Sequence, residues 1–116
     1  MNREKIVNLT PHSVRLVRKG EPDRVWDSPK IPLPRLVEEI EDREPIDGVP
    51  INCKKYGKCE NLPALQEGVY YIVSGLIAQA MRRADLLIPN TIRDEKGQII
   101  GCDSFAVMPE EKSEEQ

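Results

Sequence analysis

Asn8, Thr10 and His12 alternate along the run Lys5-Ile6-Val7-Asn8-Leu9-Thr10-Pro11-His12, which holds the only histidine of the chain. Side chains on a strand alternate between faces, so Asn8 and Thr10 share one face, and His12 would continue it but for the bend at Pro11. An amide, a hydroxyl and an imidazole in a row can read the ring edge or the hydroxyls of a small ligand. The same groups can instead satisfy nearby turn amides and leave His12 on the surface. Two other positions suit an anion. Ser74-Gly75 stands where an apolar run meets a helical pattern, and amides at a helix start attract phosphate, although Ser is also an ordinary helix cap. Arg93, with Asn90 close before it, offers a guanidinium that can grip phosphate through two parallel hydrogen bonds. Its neighbour Asp94 supplies the competing explanation, a brace for the turn that follows.

The remaining reactive residues make no catalytic or metal pattern. Cys53, Cys59 and Cys102 lack the tight Cys-x-x-Cys pairing of zinc ribbons, and on one strand Cys53 and Cys59 would stand about 20 Å apart. No metal and no cofactor is expected, and an odd cysteine count suits a reducing compartment. Glu38, Glu39, Glu41, Asp42 and Glu44 include enough carboxylates for acid–base chemistry, yet a charge run facing basic residues reads as a solvated surface. Val73-Ser74-Gly75 also lacks the glycines of a phosphate loop or a nucleophile elbow. No catalytic residue is assigned, and hydrolysis of a nucleotide is the least implausible chemistry were the protein an enzyme.

These residues must be positioned by short elements. Lys5–Leu9 and Val14–Arg18 read as a first hairpin turning through Thr10-Pro11-His12-Ser13, which puts His12 at a rim. Arg24-Val25-Trp26 is a short return strand, and three prolines mark residues 28–34 as an extended connector. Residues 35–42 have helical spacing, but Asp47-Gly48 is the strongest hairpin signal in the chain, so two strands are expected there, with Glu41 opposite Lys54. Val69–Val73 is uniformly apolar or aromatic and reads as a central strand. It leads into one helix, capped by Ser74, with Leu76, Ile77, Ala80 and Met81 on its buried face and Arg82 and Arg83 at its negative end. A closing hairpin joins Thr91–Arg93 to Gln98–Cys102 through Asp94-Glu95-Lys96-Gly97.

The expected fold is therefore α+β, mainly β: a compact sheet or sandwich of short hairpins with one packed helix. The 116 residues fit a single globular domain over 1–108, followed by an acidic, disordered tail over 109–116. That tail carries four glutamates against one lysine, which is the whole net charge of −3, so the body is neutral. A neutral body without a basic stripe argues against general nucleic-acid binding. Nothing approaches a membrane span or a signal-peptide core, so a cytoplasmic protein is expected. With 4% aromatic residues the core is thin, and a homo-oligomer would bury apolar surface that one copy cannot.

Asn8-Leu9-Thr10-Pro11-His12, Tyr71-Ile72-Val73-Ser74 and Arg93-Asp94 with Gly97, Ile99, Gly101 and Cys102 together resemble a family of small proteins common in phages and prophages. The resemblance spans roughly residues 5–107. It implies an anti-defence protein, a sponge that sequesters a nucleotide-type immune signal such as a cyclic nucleotide or an ADP-ribose derivative. On that reading a small anionic ligand meets Asn8, Thr10, His12, Ser74, Gly75, Asn90 and Arg93 near a subunit boundary. A protein–protein inhibitor or structural accessory protein, using an exposed strand edge and the Pro-rich connector around Ile31-Pro32-Leu33, is the alternative.

Overall fold

The computed structural model describes residues 4–108. It is α+β and mainly β, as expected: eight strands and one short helix. The strands are β1 (Lys5–Asn8), β2 (Val14–Leu16), β3 (Arg24–Trp26), β4 (Arg35–Ile46), β5 (Val49–Glu60), β6 (Val69–Ile72), β7 (Leu86–Arg93) and β8 (Ile99–Ala106), with α1 (Gly75–Met81) between β6 and β7. The expected acidic tail lies outside the described residues. Among the described residues no helix is long and apolar enough to cross a membrane.

Six strands form one sheet in the order β1-β6-β7-β8-β2-β3, and β4 and β5 form a separate ribbon. The apolar run β6 lies inside the sheet, parallel to β1 on one side and to β7 on the other. Parallel neighbours need a crossover, and α1 supplies the one from β6 to β7. β7 and β8 are antiparallel around the expected Asp94–Gly97 turn, β2 joins β8 in parallel, and β3 returns antiparallel on β2.

The expected first hairpin does not form. β1 pairs with β6, whereas β2 lies next to the far edge, against β8 and β3. Lys5–Asn8 gains four parallel partners from Val69–Ile72, and Leu9 N adds a bond to Ile72 O at 2.9 Å. The chain then crosses from one end of the sheet to the other through residues 9–13. Such a crossing is short because the sheet curls until its edges approach each other: Asn8 at the end of β1 reaches the Trp26 and Asp27 carbonyls at the end of β3. At the junction of β8 and β2, a Cβ on Gly101 (φ +150°) would stand 2.9 Å from Arg15 O, so only glycine lets the two backbones come this close.

The core lies between the sheet and α1. Leu9, Tyr71, Val73, Ile77, Ala78 and Leu86 are buried together, flanked by Leu36, Cys59 and Met81. The buried helix face is rotated from the expected one: Ile77 and Ala78 are inside, Ala80 is exposed and Leu76 is 53% exposed. Arg83 does not neutralise the helix end. Its guanidinium forks onto Asp85, Nε to Oδ1 at 2.9 Å and Nη2 to Oδ2 at 2.6 Å, while Arg82 adopts the left-handed C-cap and its N–H donates to Ala78 O.

The ribbon forms on the expected Asp47-Gly48 turn, whose residues both have positive φ (54° and 73°), as a two-residue turn between twisted strands requires. Its register is shifted from expectation. Ile46 pairs with Val49, but an irregularity between Arg43 and Ile46 brings Glu41 opposite Cys53 and leaves Ile40 opposite Lys54. Glu44 and Pro45 face the single residue Pro50 there, and neither proline has an N–H to offer the ladder. Gly57 is a second extra residue, between Tyr56 opposite Glu38 and Lys58 opposite Val37. Only the root of the ribbon packs: Leu36 and Cys59 meet the core, whereas every residue from Glu38 to Pro50 is exposed.

Candidate functional site

Asn8 closes β1 and is 3% exposed. Its Oδ1 accepts from Thr10 N at 2.9 Å and from Thr10 Oγ1 at 2.7 Å. Its Nδ2 donates toward His12 O at 2.8 Å, Trp26 O at 3.1 Å and Asp27 O at 3.3 Å. Two N–H bonds thus serve three carbonyls from two segments, and one amide pins the 9–13 turn to the exit of β3. Ser28 Oγ, donating to Thr10 O at 3.0 Å, fastens the same turn from outside. The consequence for His12 is that its carbonyl is held while its side chain stays exposed at the rim.

Beneath that rim lies a cleft of about 480 Å³. Its lining brings together Thr10–Ser13 of the turn, Val73–Gly75 at the start of α1, Val14 and Arg15 of β2, and residues of β7 and β8 that include Ile88, Pro89 and Cys102. The lining is mostly apolar with a few polar side chains, Thr10, His12, Ser13, Ser74 and Thr91 among them, a composition common to small-molecule sites. Ser74 Oγ caps α1 by accepting from Ile77 N at 3.3 Å, which leaves its own O–H free to donate elsewhere. Arg15 is held to Asp23 at 3.3 Å, an exposed and therefore weak ion pair.

Of the seven residues singled out in the sequence, four line this cleft: Thr10, His12, Ser74 and Gly75. The other three do not. Asn8 lies behind the turn and is fully engaged in building it. Asn90 Nδ2 donates to Ser104 Oγ on β8 at 3.0 Å. Arg93 Nη1 donates to Gly97 O at 2.6 Å and so braces the β7–β8 turn, while Asp94 Oδ1 accepts from the backbone N–H groups of Lys96 and Gln98. Arg15 and Thr91 come to the cleft without having been singled out, because the β2–β8 pairing that places Arg15 joins residues far apart in sequence.

Compared with family models, with curated proteins and with solved structures, the chain matches none.

Among the groups that line the cleft are the His12 imidazole and a thiol. Cys102 is the one thiol in its lining, and it is 1% exposed. Burial pushes this thiol up from its ordinary value, and the Asp103 charge adds to the shift. Its Sγ donates to Arg15 O at 3.3 Å, a backbone carbonyl and not a base. A thiol whose pKa is raised and whose proton is given to a carbonyl is a poor nucleophile at neutral pH. Among the described residues no three of His, Cys, Asp and Glu come together as a metal-holding group.

Proposed function

We propose that the protein is a non-catalytic binding module that holds a small nucleotide-type ligand in the cleft beneath the 10–13 turn. The observation that carries this reading is the meeting of two distant sequence features, Thr10-Pro11-His12-Ser13 and Ser74-Gly75, in the lining of one mostly apolar cleft. A flat heterocycle would lie against apolar lining residues such as Val14, Ile88 and Pro89. Hydroxyl and phosphate groups then meet Thr10, His12 and Ser74 at the rim, and Arg15 can exchange its exposed pair with Asp23 for a ligand anion. Arg93, bound to its own turn, has no part in this version of the site. The phage-like motifs favour a cyclic nucleotide or an ADP-ribose derivative as the ligand, sequestered in the host cytosol as an anti-defence measure by an assembly of several copies.

Isothermal titration against a panel of linear and cyclic nucleotides and ADP-ribose derivatives tests the proposal. One of them binds, and His12→Ala weakens that binding roughly ten-fold, the loss of one hydrogen bond to a charged group, with an unchanged melting temperature. Absence of heat across the panel overturns the reading. Chromatography of the bound nucleotide returns it intact; its conversion would make the protein a hydrolase instead.

A further inference from the structure

We infer that the β4–β5 ribbon is an assembly arm, which pairs edge to edge with the same ribbon of another copy of this chain. The ribbon has 12 residues in each strand, and among the described residues neither outer edge pairs with another strand. Two-stranded ribbons are marginal in water, and a free edge offers a row of unpaired N–H and C=O groups to any matching strand. Here the root is packed on the core, but the outer part carries Ile40, Ile46, Val49 and Tyr56 exposed, at 57%, 64%, 53% and 38%. So much exposed backbone and apolar side chain on a projecting element suits a partner.

Charge identifies the partner. β4 presents Glu38, Glu39, Glu41, Asp42 and Glu44, with Arg43 as the one cation among them; β5 presents Lys54, Lys55 and Lys58 at overlapping heights. Each ribbon thus has an acidic edge and a basic edge. Some of these groups pair within the chain, Lys54 with Glu38 at 3.6 Å and Lys55 with Glu41 at 4.0 Å. Glu39, Asp42, Glu44 and Lys58 form no ion pair among the described residues, and so remain available to a neighbour. Side chains on a sheet meet neighbours on both flanking strands, so an acidic β4 edge is completed by a basic β5 edge on its open side. The strand with that edge, in the matching length and direction, is β5 of a second copy. Because β4 and β5 run antiparallel, ribbons repeated side by side continue the antiparallel ladder. The contact is heterologous: each copy gives one edge and receives the other, until a ring closes. Two acidic edges facing each other would repel, which disfavours the alternative two-fold pairing of β4 with β4.

Sedimentation velocity of the full chain tests the arm, independently of any ligand. Wild-type protein sediments as an assembly at low ionic strength and loosens toward monomer in roughly 0.5 M salt, as exposed charge pairs are screened. The acidic arm (Lys54→Glu, Lys55→Glu and Lys58→Glu) and the basic arm (Glu38→Lys, Glu39→Lys, Glu41→Lys, Asp42→Lys and Glu44→Lys) are each monomeric. Mixed in equal amounts, they assemble, because acidic and basic edges again alternate. Trp26 fluorescence, reporting β3 in the main sheet, checks that each variant is folded. Should a variant not fold, hydrogen exchange of the wild type decides: amide protection over 38–44 and 54–58 rises with protein concentration if the arms pair. A wild type that is monomeric at low salt, folded variants that assemble by themselves, a mixture that stays monomeric, or arm protection independent of concentration overturns the inference.

Discussion

Asn8 carries more of the fold than any other single side chain near the cleft, and its loss separates a structural role from a ligand-binding one. Asn8→Ala removes an acceptor from Thr10 and a donor from three carbonyls in a buried place, which should cost about 2–4 kcal/mol. Asn8→Asp should cost more at neutral pH, since a carboxylate would replace the N–H groups in front of three carbonyl oxygens. Urea denaturation followed by Trp26 fluorescence measures both, and a near-neutral Asn8→Ala would mean that the turn is held by other contacts. The residue types here were legible in sequence; their allocation was not. Asn, Thr and His at alternate positions signal polar business near a turn, but the choice between facing a ligand and facing the backbone depends on β3, sixteen or more residues away in the chain. Arg93 shows the same ambiguity: its Nη1 donates to the Gly97 carbonyl of its own turn.

At the scale of elements, sequence reading found most strands but not their full lengths, β7 running back to Leu86 and β8 on to Ala106, and it misjudged the partner of β1. Every strand carries a local mark, such as the apolar run of β6 or the Asp47-Gly48 turn that joins β4 to β5. Pairing carries a local mark only when the partners are joined by a tight turn, as in β7–β8. β1 is joined to β2 by a turn-like sequence, yet it pairs with β6, more than sixty residues onward, because that strand offers a parallel ladder beside the helix-covered core. The β6–α1–β7 crossover that secures this arrangement ends on the Arg83–Asp85 fork. Asp85 is 3% exposed, and its backbone O also accepts from Tyr71 N at 2.8 Å, so the fork stands where β6 and β7 begin to pair. Hydrogen bonding to Asp85 raises the Arg83 pKa, with burial opposing it, so the guanidinium stays charged throughout the accessible pH range. Arg83→Met leaves that carboxylate buried without its cation and should cost about 3 kcal/mol. Adding Asp85→Asn should recover a large part of the loss, giving a coupling in a double-mutant thermal denaturation cycle that an exposed pair such as Arg15–Asp23 does not show.

At the scale of the whole molecule, two thiols report on whether the curled sheet opens as one unit. Cys102 sits inside the main sheet, and Cys59 sits where the ribbon root joins the core. Desolvation is the largest cause raising each of them above the ordinary thiol value of 9.0. A thiol whose pKa is raised by folding holds its proton more tightly in the folded state. The resulting stability is fully present below the unfolded pKa and is lost as pH rises through the folded value. Stability should therefore be insensitive to the thiols up to about pH 8.5 and fall above about pH 9. Tyrosines titrate in the same alkaline range, so the comparison that isolates the thiols is with Cys59→Ala and Cys102→Ala, whose denaturation midpoints should fall less steeply with pH than that of the wild type, whatever their stability at neutral pH. Thiol labelling gives the same division in kinetics. Cys53, half-buried on the projecting ribbon, should react through local opening. Cys102, pinned between β8 and the Arg15 carbonyl, should react only as fast as the sheet comes apart, and the two rates should converge in urea. Equal rates in the native protein would mean that β2 and β3 detach from β8 without global unfolding, and that the sheet is not closed in solution by its Asn8 pin.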